Sequence, residues 1–131
     1  MQLYVVRPKV DKSGEEEKVR YYGVPILSGQ VNEEKLAAEI CHRCSLTEAD
    51  VLATISALKS LMQDHLEWGR SVKLKGIGTF SVSASSEGFD TPEECTPAEV
   101  KAQRVCFRAD NDMRSVVYRM KYQKINREKT K

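Results

Sequence analysis

Two short motifs in this 131-residue chain have residue types and spacings that bear on chemistry. Cys41-His42-Arg43-Cys44 places two thiols around an imidazole, the donor types that hold a structural zinc ion. A closed site needs further ligands, and the remaining cysteines, Cys95 and Cys106, have ten residues between them and form no second pair. On a helix, Cys41 and Cys44 would share the apolar stripe, so they read as ordinary core cysteines and no metal is expected. A redox Cys-x-x-Cys begins a helix after a strand, whereas this one would end a helix. Gly76-x-Gly78 is no dinucleotide cradle, because Ser81 stands at the third glycine position and a strand follows. His42 and His65 are the only imidazoles, and neither lies near a recognisable nucleophile motif. The reading is therefore of a protein that is not an enzyme, with no cofactor and no small-molecule substrate.

The remaining chemistry is that of fixed positive charge. Lys and Arg number 21 against 19 Asp and Glu, a formal net charge of +2, but the charge is zoned. Residues 32–69 carry three basic and seven acidic side chains, and 70–83 three basic and none acidic. Residues 84–98 then carry four acids and no base, and 99–131 ten bases and four acids. Zoning focuses a field on one face even when the total is small. Around Val72 and Leu74, and again around Val105 and Phe107, the period is two. If those four apolar residues face a core, Lys73, Lys75, Arg104 and Arg108 share the opposite sheet face, and a dimer doubles the four charges to eight. Such a stripe suits phosphates, which position a protein without reporting sequence; the plainer reading is a solvated polar face. The basic stretch Arg119, Lys121, Lys124, Arg127, Lys129 and Lys131 reads equally as a solvated tail or as a phosphate-contacting arm. Tyr21, Tyr22 and Trp68 offer stacking surfaces, although aromatics at a strand and a helix end are commonly core or interface anchors.

These residues need elements to hold them. Residues 2–10 and 18–27 flank Asp11-Lys12-Ser13-Gly14 and predict a β-hairpin. Asn32 as N-cap, with Glu33 and Glu34 in the first turn, opens a helix expected over 33–44. Thr47 and Asp50 open a second, with Val51, Ile55, Leu58, Met62 and Leu66 on one face and Gly69 closing it. A strand from Ser71 through Ala84 follows, its two glycines marking a bulge or a close backbone approach. Residues 85–98 read as a loop or reaching arm, and a return strand carries Val105 and Phe107. Asp110 or Asn111 caps a last helix with Met113, Val116, Val117 and Met120 inward, and Tyr122 to Lys131 is a tail with little to bury. Hydrophobic residues are 40% and charged residues 31%, the composition of a soluble globular domain. No apolar run reaches membrane-span length, so no membrane partner is expected. The N-terminus does not read as a secretion signal, which makes the cytoplasm the expected compartment and the cysteines reduced thiols.

Two helices, then Val72-Lys73-Leu74-Lys75-Gly76-Ile77-Gly78-Thr79-Phe80-Ser81-Val82, an arm, Phe107-Arg108 and a final helix resemble the HU/IHF family of bacterial histone-like proteins. Gly-Ile-Gly-Thr-Phe after a helix-ending glycine is the most specific part, and the likeness runs from about Val31 to Tyr118. The remainder resembles a divergent HU-related subgroup of Bacteroides-type bacteria. The resemblance implies an α+β fold: an IHF-like intertwined homodimer with a two-helix base, an antiparallel sheet with a short β-arm, a C-terminal helix and an extra N-terminal β-hairpin. It implies three segments, a hairpin extension at 1–30, an HU-like DNA-binding domain at 31–121 and a basic tail at 122–131. It also implies double-stranded DNA as partner in the nucleoid, bound without sequence specificity through a saddle of Lys73, Lys75, Arg104, Arg108 and Arg114. Arg108 and Arg114 stand at positions that are basic in the family, while Asn111 replaces a third.

In typical members the arm is long and Arg-rich, with a proline at its tip that wedges into the minor groove. Here the arm is shorter and holds Glu87, Asp90, Glu93 and Glu94; Pro92 or Pro97 stands in for the wedge, outside the family's Asn-Pro context. Ala109-Asp110 replaces the usual Pro-Gly after the return strand. The rival reading is the same dimer used as a structural or protein-interaction module that has lost DNA bending with its arm.

Overall fold

The computed structural model describes residues 1–12 and 14–126. In chain order the elements are β1 (Gln2–Asp11), β2 (Lys18–Ile26), α1 (Glu33–Cys41), α2 (Glu48–Glu67), β3 (Val72–Leu74), β4 (Gly78–Ser85), β5 (Lys101–Ala109), α3 (Asn111–Arg119) and β6 (Tyr122–Lys124). The described residues form two compact units, one of those within 1–32 and 117–126 and the other of residues 33–116.

In the first unit β1 and β2 make the expected hairpin, paired antiparallel from Leu3 opposite Ile26 to Asp11 opposite Lys18. The tail expected after Met120 is corrected over Tyr122–Lys124, which adds to β1 as a parallel third strand opposite Gln2, Leu3 and Tyr4. Main-chain bonds from Gln2 N–H to the Lys121 carbonyl (2.7 Å) and from Ile125 N–H to the Tyr4 carbonyl (3.0 Å) extend that pairing. The Tyr4 and Tyr122 rings meet edge to face at 6.4 Å. Arg127, Lys129 and Lys131 of the basic stretch lie outside the described residues.

In the second unit α1 and α2 pack together, and the apolar side chains buried there are Ala37 and Val51. Asp50 N–H donates to the Thr47 hydroxyl at 3.2 Å, the cap that the Thr47-Asp50 spacing predicts. At the other end of α2, Gly69 N–H reaches the Leu66 carbonyl and Arg70 N–H the His65 carbonyl, both at 3.0 Å. Those two bonds form a Schellman closure around Gly69, which has positive φ.

α1 ends at Cys41 instead of Cys44. Arg43 and Cys44 N–H both turn back to the Ile40 carbonyl, because Thr47 must be extended (ψ 161°) to cap α2. Cys44 is consequently exposed and not on a buried stripe, while Cys41, half-buried, donates its thiol to the Ala38 carbonyl at 3.0 Å.

The single strand expected over 71–84 is two strands. Lys75-Gly76-Ile77 is a tight turn closed by Ile77 N–H to the Leu74 carbonyl at 2.9 Å, with Gly76 at φ +83°, where a β-turn of type II needs glycine. β3, β4 and β5 then form an antiparallel three-stranded sheet in that order. The close approach read from the second glycine is present. A Cβ on Gly78 would strike the Arg108 carbonyl oxygen and come within 2.5 Å of the Phe107 ring.

Neither unit closes a core by itself. Val5, Ala37 and Val51 are the only apolar side chains buried among the described residues. The accessible surface is 11891 Å², against roughly 8,300 Å² for two separate compact units of these masses. Bare apolar side chains include Val105, Phe107, Leu61 and Val117, each more than half exposed.

Candidate nucleic-acid interface

Pairing in the second sheet sets which side chains share a face. Lys73 lies opposite Thr79 and Thr79 opposite Arg108; Ser81 opposes Cys106, and Ser83 opposes Arg104. On the other face Val72, Phe80 and Phe107 line up, followed by Val82 and Val105, with the two Phe rings 4.8 Å apart. The alternation read from the sequence therefore places Lys73, Arg104 and Arg108 together, and all three are exposed. Lys75 departs from that reading: it sits in the turn between β3 and β4 and leaves the sheet face.

A fourth cation joins the face in a way that sequence parity hides. Between Ser83 and Ala84 the register shifts, so that Arg104 pairs with Ser83 but Ala102 with Ala84 and Lys101 with Ser85. The extra residue, Gln103, is a β-bulge, and it turns Lys101 onto the face of Arg104, although the two are three positions apart. Plain alternation would put Lys101 with Phe107. No residue pattern in β5 announces the bulge, so nothing in the sequence pointed to Lys101.

The completed face carries Lys73, Lys101, Arg104 and Arg108 and no carboxylate at any paired position. Between these cations runs a row of hydroxyls on β4, Thr79, Ser81, Ser83 and Ser85. Cations and hydroxyls are the donors that phosphate oxygens accept from. Arg104 and Arg108, four residues apart on one strand, are separated by about 13 Å of backbone. The face ends abruptly at Lys101, where Glu87 and Glu99 border the same shallow depression.

Asp110 ties the lower end of the sheet together. Its carboxylate accepts from Gly76 N–H at 3.0 Å, and its own N–H donates to the Ile77 carbonyl at 3.0 Å. Asp110 takes the N-cap position of α3, one of the two the sequence allows: its carbonyl accepts the first helical bond from Arg114 N–H at 2.9 Å, while its carboxylate holds the β3–β4 turn. The Arg114 Nε–H donates to the Ala109 carbonyl at 3.1 Å. The turn bearing Lys75, the end of β5 bearing Arg108 and the first turn of α3 bearing Arg114 thus meet at Ala109-Asp110. Pro92 and Pro97 each begin a single 3-10 turn (Pro92–Glu94 and Pro97–Glu99) in the connection between β4 and β5. Among the described residues no group of three His, Cys, Asp or Glu is placed to hold a metal ion. No helix among them is long and apolar enough to cross a membrane.

A pair of helices leading into a three-stranded antiparallel sheet and a closing helix defines an α+β fold of the HU type. Residues 1–124 match the family HU-HIG, described as an HU domain fused to a wHTH, Ig or glycine-rich motif, and the chain belongs to that family. It is similar to integration host factor subunit alpha of Caulobacter vibrioides, 32% identical over 88 residues that cover 63% of this chain and 88% of that one. It is also 32% identical over 53 residues to DNA-binding protein HRL18 of Rhizobium leguminosarum, covering 40% of this chain and 58% of that protein's length. Among solved structures, an Anabaena HU–DNA cocrystal structure superposes with TM-score 0.50 at 20% identity, over 66% of this chain and 97% of that chain. A Bacteroides vulgatus protein described as a candidate bacterial DNA-binding protein matches with TM-score 0.62 at 10% identity, over 96% of this chain and 50% of its own.

Proposed function

We propose that the chain is a homodimeric, HU-like protein of the cytoplasmic nucleoid that binds duplex DNA with little sequence preference, through the hydroxyl and cation face of β3, β4 and β5. The observation that carries the reading is the register: four cations and four hydroxyls gathered on one sheet face without an acid. Relatives support it, since one is a DNA-binding protein by name and one fold neighbour was crystallised with DNA. Lys73, Lys101, Arg104 and Arg108 neutralise phosphates and release their counterions, while Thr79, Ser81 and Ser85 donate to phosphate oxygens; the Ser83 hydroxyl donates to the Arg104 carbonyl. Lys75 and Arg114 extend the same positive edge from the Asp110 junction. Backbone contacts of this kind fix position and carry no base information. Glu87, Asp90, Glu93 and Glu94 surround Pro92 and Pro97, so the connection between β4 and β5 repels the backbone where an arm would wedge. The contact therefore falls on the sheet and not on the two prolines.

The dimer is inferred from the opposite face. Val105 and Phe107 are 62% and 51% exposed in one chain, far too much apolar surface to leave in water. A second copy covers it, and folding is then coupled to association. Amine-reactive labelling followed by mass spectrometry tests the interface: duplex DNA is expected to protect Lys73 and Lys101 while leaving Lys59 on α2 as reactive as before. Equal labelling of all three with and without bound duplex would refute it.

A further inference from the structure

The first unit carries a second cationic surface that the sheet face does not explain. β6 covers only Gln2, Leu3 and Tyr4 of β1, so beyond Tyr4 the hairpin is a two-stranded ribbon among the described residues. Cross-strand pairing gives that ribbon two unlike faces. Val6 with Gly23, Pro8 with Tyr21 and Val10 with Val19 form an apolar one. Arg7 with Tyr22, Lys9 with Arg20 and Asp11 with Lys18 form the other, where cations outnumber acids four to one.

Carboxylates gather only at the distal end. Asp11 lies 3.3 Å from Arg20, and Lys18 borders the same depression as Glu15 and Glu16. Arg7 and Lys9 have no carboxylate within ion-pair distance among the described residues, and both are exposed. β1 thus presents two cations away from any carboxylate, two residues apart on the same side of the strand, with Tyr22 paired opposite Arg7. Side chains two apart on a strand are spaced by about 6.7 Å, and a two-stranded β-ribbon is narrow enough for the major groove of B-DNA.

We infer that Arg7 and Lys9 on the β1–β2 ribbon form a second contact with the phosphates of duplex DNA, separate from the sheet face. The inference rests on the DNA-binding reading above and adds a site to it. Glu15, Glu16 and Glu17 at the tip repel the backbone, so contact belongs to the part of the ribbon between Tyr4 and Asp11.

The test is a fluorescence-anisotropy titration of a labelled duplex by full-length protein over a range of salt, for wild type, R7Q/K9Q, R7K/K9R and R104Q/R108Q. Each phosphate neutralised adds about 0.9 to the slope of log affinity against log salt. R7Q/K9Q is expected to flatten the slope by about 3.6, because a dimer then neutralises about four fewer phosphates. R7K/K9R, which keeps both charges, is expected to retain the wild-type slope. An unchanged slope in R7Q/K9Q beside a flattened one in R104Q/R108Q overturns this site and leaves the sheet reading intact. A wild type that binds no duplex overturns both.

Discussion

Neutralising two of the four sheet cations has an effect whose size follows from the register. Lys73, Lys101, Arg104 and Arg108 face one way on the sheet, so the proposed homodimer would neutralise eight phosphates through two copies of this face. With all eight engaged, the face contributes a slope of about −7 to log affinity against log salt. R104Q/R108Q removes half of those cations, and the slope is expected to become shallower by about 3.6. Raising salt from about 50 to 200 mM would then weaken the contribution of this face about 10⁴-fold in the wild type and about 10²-fold in the variant. Both arginines are exposed, so circular dichroism is expected to show an unchanged fold. The assay is anisotropy of a labelled duplex at four or more salt concentrations, repeated with an unrelated sequence of equal length. The loss should match on both duplexes, because phosphates are the same on each. A variant with the wild-type slope, or one whose loss depends on sequence, would refute the reasoning.

Neutralising Glu87, Asp90, Glu93 and Glu94 to their amides is expected to tighten duplex binding at low salt; weaker binding in the same titration would mean that the acids orient the complex. Gly78→Ala forces a methyl onto the Arg108 carbonyl and the Phe107 ring. It should lower stability by roughly 1–3 kcal/mol in a urea melt, and a wild-type midpoint would count against the close approach. Asp110→Ala strands the Gly76 N–H and should cost about 1–2 kcal/mol in the same melt. Chelator is expected to leave the thermal midpoint unchanged, since a structural zinc would make folding depend on metal; a lowered midpoint would reopen the Cys41-Cys44 reading.

Most of the sheet face was legible because period two is strict where strands pair without interruption. Lys73, Arg104 and Arg108 could be grouped from alternation alone. The β3–β4 turn was hidden by an accident of parity: Leu74 and Gly78 are an even number of residues apart, so the pattern passes through the turn as if the strand continued. Lys101 was hidden for the opposite reason, because one bulged residue shifts parity without changing composition. β6 has no apolar pattern to betray it; three residues pair with β1 through main-chain bonds that any side chain permits. Cys44 was misplaced because its spacing from Cys41 fits a helix, and only the need for an extended Thr47 ends that helix early. The bond from Gly76 N–H to the Asp110 carboxylate spans 34 residues, a distance no local pattern encodes.

The most direct test of phosphate-driven duplex binding by a homodimer is one titration of the wild-type protein. It uses two labelled duplexes of unrelated sequence at low and near-physiological salt, with sedimentation run on the same samples. The expected result is a dimer that binds both duplexes with the same affinity and loses orders of magnitude of it as salt rises. A folded dimer that leaves both duplexes free at low salt would contradict it, and the HU fold of this chain would then serve protein interaction instead of DNA.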